Sequence, residues 1–216
     1  MSLPPTKPKL YHITHIDNLA GIIARRKILS DAERIRQNLT CNIVGMSEIK
    51  KRRLESIEVS CNSGTKVGEY VPFYFCPRSI MLYIISRRNH PDITYRGGQD
   101  PILHLQVDLN DAVMWANTKP RAWAFTDGNA GSFIARFFNQ LSDLDKVDWS
   151  AVSNTNFRDP VVKEGKQAEF LVYKSVPWKL IESIGVYDSA VERQVQGMLA
   201  STAPKPLVNV KRDWYY

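Results

Sequence analysis

An α+β fold built around a largely antiparallel sheet is what this sequence predicts, and three observations carry the prediction. Short β-prone segments recur along the chain, about six or seven of them by pattern, bounded by turn residues. Helical stretches, about four in number, fall between them without strict strand–helix–strand alternation. No Walker loop and no GxGxxG occurs, so neither a P-loop ATPase nor a dinucleotide-binding dehydrogenase is supported. A chain of 216 residues with 44% hydrophobic content buries one sizeable core. No Gly/Ser run, repeat or low-complexity tract marks a linker, and residues 1–216 are expected to form a single domain.

Taken in order, Leu10-Tyr11-His12-Ile13-Thr14 reads as a short strand that places His12 and Thr14 on one side. Asp17 is expected to cap the helix that follows, whose Leu19, Ile22 and Ile23 share a face. Residues 29–41 are polar and without a clear period, and are expected to form a mobile cover over a pocket. A helix is expected from Ser47, with Ile49 and Leu54 inward. On it, Arg52 and Arg53 differ by about 100° and cannot both face one site. Residues 71–76 form the next expected strand, closed by Pro77, and 80–86 an apolar helix or strand carrying Met81 and Tyr83.

Leu103, Leu105, Val107 and Leu109 alternate with polar residues, as in a half-buried strand. Residues 112–116 and 122–125 are expected as further short strands. Phe133, Ile134, Phe137, Phe138 and Leu141 fall at helical spacing, and that stripe is expected to be core. A polar loop over 154–165 then leads to Lys166-Gln167-Ala168-Glu169, where the strand from Phe170 begins. Another strand is expected at 181–187 and an amphipathic helix at 189–200, with the tail unassigned.

Composition narrows the function. Lys and Arg total 29 against 22 acidic residues, a net charge of +7 that suits a polyanionic partner. The cations cluster at Arg25-Arg26-Lys27, Lys50-Lys51-Arg52-Arg53 and Arg87-Arg88, interleaved with aromatic residues as single-stranded nucleic acid requires. Cys41, Cys61 and Cys76 are odd in number and lack metal spacing, which fits a reducing cytoplasm and no disulfide framework. The N-terminus has no apolar stretch of the signal-peptide kind, and the longest apolar runs are too short to span a bilayer. No GxSxG, HExxH or CxxC occurs either.

The chemistry left is glycosidic transfer. When a nicotinamide–ribose bond breaks, the transition state is oxocarbenium-like, and a fixed carboxylate stabilises the positive charge. Glu169, where a polar loop enters a buried strand, is the candidate for that carboxylate. An arginine is suited to a diphosphate, and Gly21 allows close backbone approach of a dinucleotide.

Four ordered motifs sharpen the reading: Tyr11-His12-Ile13-Thr14-His15-Ile16-Asp17-Asn18-Leu19; Ile49-Lys50-Lys51-Arg52-Arg53; the run 68–79 from Gly68 through Tyr70 to Ser79; and Gln167-Ala168-Glu169-Phe170-Leu171-Val172. Together they resemble the DarT family, bacterial toxins that ADP-ribosylate thymidine in single-stranded DNA from NAD+. The likeness extends over nearly the whole chain. It implies an ADP-ribosyltransferase (PARP-like) fold, NAD+ as co-substrate without a metal, and a cognate DarG antitoxin whose macrodomain removes the mark. By the resemblance, Glu169 is the catalytic glutamate and Arg52 the catalytic arginine, with Arg53 in its place if the helix phase differs by one. His12, Ile13, Thr14, Gly21, Leu29, Arg52, Tyr70 and Tyr83 are expected at NAD+, and residues 30–50 to fold over it. Met81, Arg158, Lys163 and Lys166 are expected at the DNA. A monomer acting on single-stranded DNA, with no membrane partner, is the expectation. The rivals are a transferase acting on RNA or protein, and a non-catalytic single-stranded nucleic-acid-binding module.

Overall fold

The structure, a computed structural model, describes residues 3–216. Its strands are β1 (Lys9–His15), β2 (Lys27–Leu29), β3 (Tyr70–Tyr74), β4 (Ile102–Asp108), β5 (Trp123–Asn129), β6 (Phe137–Phe138), β7 (Ala168–Tyr173), β8 (Ser175–Pro177), β9 (Ile181–Val186) and β10 (Leu207–Val210). The helices are α1 (Leu19–Arg25), α2 (Asp31–Arg36), α3 (Ser47–Glu55), α4 (Ile80–Arg87), α5 (Leu109–Thr118), α6 (Trp149–Ser153), α7 (Pro160–Gly165) and α8 (Ser189–Met198). Eight strands form one sheet in the order β10-β9-β4-β1-β3-β7-β5-β6, and β2 pairs with β8 in a small second one. Every pairing is antiparallel except β9 with β10. The expected α+β class with a largely antiparallel sheet is what the chain adopts.

The sheet is tight at its flanks and loose at its centre. β1 pairs with β4 along seven consecutive positions, but meets β3 only at Tyr11 opposite Tyr74. Pro72 lies in β3 and has no N–H to give a ladder. Its carbonyl is instead bonded by the His12 ring Nδ1 at 2.8 Å. The two strands therefore part above this point, and the gap opens a cleft between them. Phe73, Phe125, Phe170, Leu103, Leu105 and Trp178 fill the main core, fully buried.

Several expectations are corrected. Asp17 does not cap α1: it lies in a 3-10 turn (Ile16–Asn18) whose start is capped by the His15 ring, and Asn18 precedes α1 without a side-chain cap. Residues 112–116 are not a strand but the middle of α5. The Asp108 carboxylate accepts the N–H groups of Asn110 and Asp111, and Leu109, Ala112, Val113 and Ala116 bury at helical spacing. Residues 29–41 are not irregular throughout, because Ser30 caps α2 by accepting the Glu33 N–H. The apolar stretch after Ser79 is helical, and α7 occupies part of the expected loop over 154–165.

The aromatic stripe is the largest reversal. Phe137 and Phe138 pair with β5 as a strand, while Phe133 and Ile134 stand 73% and 85% exposed. A tight turn at Asn129, where Gly131 N–H donates to the Asn129 side chain and Ser132 N–H to its carbonyl, breaks the helical course that the spacing suggested. The unassigned tail supplies β10, and Trp214, Tyr215 and Tyr216 pack against the sheet and α4.

Candidate active site

The cleft between β1 and β3 is a cavity of about 540 Å³, within the range of small-molecule sites. His12, Ile13, Thr14, Gly21, Leu29 and Tyr70, all expected at NAD+, line it together with Met81, expected at the DNA. Burial lowers the His12 pKa, against the opposing effect of its bond to the Pro72 carbonyl. A neutral ring that donates from Nδ1 leaves Nε2 as an acceptor.

A strap over residues 39–46 borders the same cavity. Asn18 fastens it: the Asn42 N–H donates to the Asn18 side chain at 2.7 Å, and the Asn18 amide donates to the Asn42 carbonyl at 2.9 Å and to Thr14 Oγ1 at 3.1 Å. Lys50 on α3 donates to both oxygens of Asp31 at 3.0 and 2.8 Å, clamping α2 against α3 at the cavity wall. Burial raises the Asp31 pKa, but Lys50 and Arg34 outweigh it, so the carboxyl is held below its ordinary value. Arg25, Lys27, Arg34, Lys50 and Arg53 line the cavity against Asp17 and Asp31, a balance that suits an anionic diphosphate.

Glu169 lies directly behind two residues of the cavity wall, opposite Tyr74 across the β3–β7 ladder and bonded to Arg53. It is 2% exposed. Arg53 bonds it at both oxygens, Nη1 to Oε1 at 3.0 Å and Nη2 to Oε2 at 2.8 Å, and the Ala130 N–H donates to Oε1 at 3.2 Å. The register of β5 against β7 shifts between Phe125 and Asn129. Within that irregularity Thr126 Oγ1 accepts the Glu169 N–H at 3.0 Å and donates to the Gly128 carbonyl at 2.7 Å, which turns the Ala130 N–H onto the carboxylate. Burial works against the Arg53 charge, but the facing carboxylate more than offsets it and keeps the guanidinium above its ordinary pKa. Tyr74, raised first by burial and then by the Glu169 charge, is a neutral phenol at the same spot.

The helix phase resolves which arginine faces the carboxylate. Arg53 meets Glu169, whereas Arg52 turns away and lies 5.6 Å from the centroid of the Phe133 ring, its Nε buried without a partner. Tyr83 is not at the cavity: it packs edge-on against Phe157 and Tyr216 at 5.1 and 5.2 Å. Lys166 cannot reach a phosphate, because its ammonium is buried and donates to the Val152 carbonyl at 2.9 Å. Arg158 and Lys163 are exposed on and before α7. Asp31 has no signal in the sequence, and Asn18, Lys50 and Tyr74 stand there only within a motif or a charge cluster; the pairing of Tyr74 with Glu169 is what brings the last to the site. Among the described residues, no group of three or more His, Cys, Asp or Glu side chains is placed to hold a metal.

A split antiparallel sheet with a His on one central strand, a buried Glu on another and a cationic cavity beside them fits the ADP-ribosyltransferase class that the sequence motifs resemble. Comparison with known proteins narrows it further. The family profile described as ssDNA thymidine ADP-ribosyltransferase, DarT, matches residues 11–216. The DNA ADP-ribosyl transferase of Thermus sp. (strain 2.9) is 42% identical over 215 residues, covering 98% of each chain. Its structure in complex with ADP-ribosylated single-stranded DNA superposes with a TM-score of 0.89 at 38% identity, covering 100% of this chain and 99% of that one. The structure of the same protein with NAD+ gives a TM-score of 0.79 at 36% identity, covering 99% and 100%. A Thermosipho africanus fusion of a DNA ADP-ribosyl transferase with a DNA ADP-ribosyl glycohydrolase is 29% identical over 189 residues, which are 87% of this chain and 44% of the fusion. The chain belongs to the DarT family, and it is an enzyme of the ADP-ribosyltransferase kind.

Proposed function

We propose that this protein transfers ADP-ribose from NAD+ to thymidine in single-stranded DNA. The observation that carries the reading is the Glu169 carboxylate, fixed by the Ala130 N–H and by Arg53, which itself lines the cationic cavity. The cavity holds NAD+, with Arg25, Arg34 and Lys50 near the diphosphate and His12 and Thr14 on the β1 wall. The nicotinamide–ribose bond breaks, the anomeric carbon bonds to the thymine ring nitrogen, and the proton of that nitrogen is released. Glu169 stabilises the positive charge that develops on the ribose. Arg53 holds Glu169 in place. Because its own charge is reinforced by that carboxylate, Arg53 acts as a fixed cation toward a deprotonating thymine and not as the proton acceptor. Arg52 takes no part at the carboxylate. Met81 at the rim and exposed Arg158 and Lys163 meet the DNA strand.

Residues 1–216 act as one catalytic domain, as a monomer. The protein serves as a toxin whose mark is removed by a DarG-type glycohydrolase; the Thermosipho relative, with both activities in one chain, supports that pairing. No described helix is long and apolar enough to cross a membrane. The cytoplasm, where NAD+ and DNA meet, is the proposed place of action. The test is incubation with NAD+ and paired oligonucleotides with and without thymidine, in DNA and RNA form, read by mass. An ADP-ribose adduct confined to thymidine DNA is expected. An adduct on RNA or on protein alone would overturn the acceptor assignment, and salt-sensitive DNA binding with no use of NAD+ would overturn the enzymatic one.

A further inference from the structure

Phe133 and Ile134 are two large apolar side chains standing 73% and 85% exposed on the turn that also holds Glu169. That turn is anchored, not loose. The Ala130 N–H bonds the carboxylate, a Cβ at Gly131 would meet Ile49 and approach the stem of Arg53, and the Asn129 side chain bonds both the Gly131 N–H and Gln167. The exposed pair is therefore held at a fixed position beside the reacting groups. A Phe–Ile pair kept in water next to an active site marks a surface that binds something. Arg52 defines its chemistry: its guanidinium lies 5.6 Å from the Phe133 centroid, and its Nε is buried and unpartnered. An aromatic ring beside an arginine offers a face to a base and a cation to the adjoining phosphate. Exposed Lys51 adds positive charge beside Arg52 in sequence, whereas Arg136 is already paired with Asp127.

Resting on the proposed DNA acceptor, we infer that Phe133, with Arg52 behind it, is the stacking platform for an unpaired base flanking the modified thymidine. Ile134 extends the apolar surface toward the same nucleotide. Phe133 thereby sets how the strand is held for transfer and does not touch NAD+.

The test compares wild type with Phe133→Ala and Phe133→Trp on a thymidine oligonucleotide and on versions with an abasic site on the 5′ or the 3′ side of the target. Phe133→Ala is expected to raise KM for DNA on the order of ten- to a hundredfold, with NAD+ affinity and melting temperature at wild-type values, and Phe133→Trp to restore it. One of the abasic substrates is expected to weaken wild type by a similar factor and the alanine variant hardly further. An unchanged KM in Phe133→Ala, or losses that simply multiply on both abasic substrates, overturns the platform while leaving the transferase standing. Wild type that modifies no oligonucleotide overturns the acceptor reading and this inference together.

Discussion

Removing Arg53 tests how the site is built. Arg53→Met keeps the apolar stem of the side chain but deletes two bonds, at 3.0 and 2.8 Å, to a carboxylate that is 2% exposed. Glu169 keeps the Ala130 N–H at 3.2 Å as its side chain's one remaining donor among the described residues. Leaving one member of a buried pair uncompensated costs about 3–5 kcal/mol. For a chain of this size that is a fall in melting temperature of roughly 6–20 °C. Glu169→Gln leaves the converse defect, a buried guanidinium against an amide. The double variant removes both charges, so its loss should fall short of the sum of the two single losses by about 1–3 kcal/mol. Urea unfolding of all four proteins, followed by circular dichroism at neutral pH, measures this. A melting temperature for Arg53→Met within a degree or two of wild type, or losses that add within about 0.5 kcal/mol, would refute the claim that the pair is formed and buried.

Three further outcomes follow from other parts of the structure. His104 is fully buried, and burial lowers its pKa from 6.5 to about 4 against the opposing bond to the Pro77 carbonyl. The unfolded chain takes up that proton first, so stability is full above about pH 6.5 and declines as pH falls towards about 4, by roughly 3 kcal/mol. His12, also lowered by burial, adds in the same direction; His104→Phe should flatten much of the slope in unfolding free energy measured across that window. Gly68→Ala would put a Cβ 2.6 Å from Leu54 Cδ2 and 2.8 Å from its Cα, so the backbone of α3 next to Arg53 must shift. A loss of about 1–3 kcal/mol, with transfer reduced in protein that is still folded, is expected from unfolding and activity assays. Lys50→Ala unfastens α2 from α3 at the cavity wall, and calorimetry should find NAD+ binding weaker by about fivefold, the scale of a half-exposed ion pair.

What the sequence disclosed follows from what its patterns encode. Alternation at Leu103, Leu105 and Val107 gave β4, and the β-prone runs around Tyr11, Val71 and Phe170 gave the three strands that carry the site. His12 and Glu169 were legible because each sits in a short motif at a strand. The failures arose where tertiary pairing overrides local spacing. Phe137 and Phe138 share a helical period with Phe133, but the edge of β5 offers them a ladder, which no local pattern reports. Ala112 and Ala116 were assigned to a strand although Leu109, Ala112, Val113 and Ala116 repeat at helical intervals behind the Asp108 cap. The choice between Arg52 and Arg53 depends on the phase of α3 relative to β7, a long-range relation that neighbouring residues leave open. Lys166 was misjudged for the same reason: only the packing of α6 brings the Val152 carbonyl to its ammonium.

The most direct test of the central claim is NAD+ turnover by Glu169→Gln beside wild type, with NAD+ binding measured on the same preparations. The claim predicts that wild type releases nicotinamide and forms an equal amount of ADP-ribosylated thymidine oligonucleotide. The variant should bind NAD+ with near wild-type affinity yet form product at least a hundredfold more slowly, on the order expected when a transition-state charge partner is removed. Transfer by Glu169→Gln at the wild-type rate would contradict the account, because the carboxylate held by Arg53 would then not be the group on which the chemistry depends.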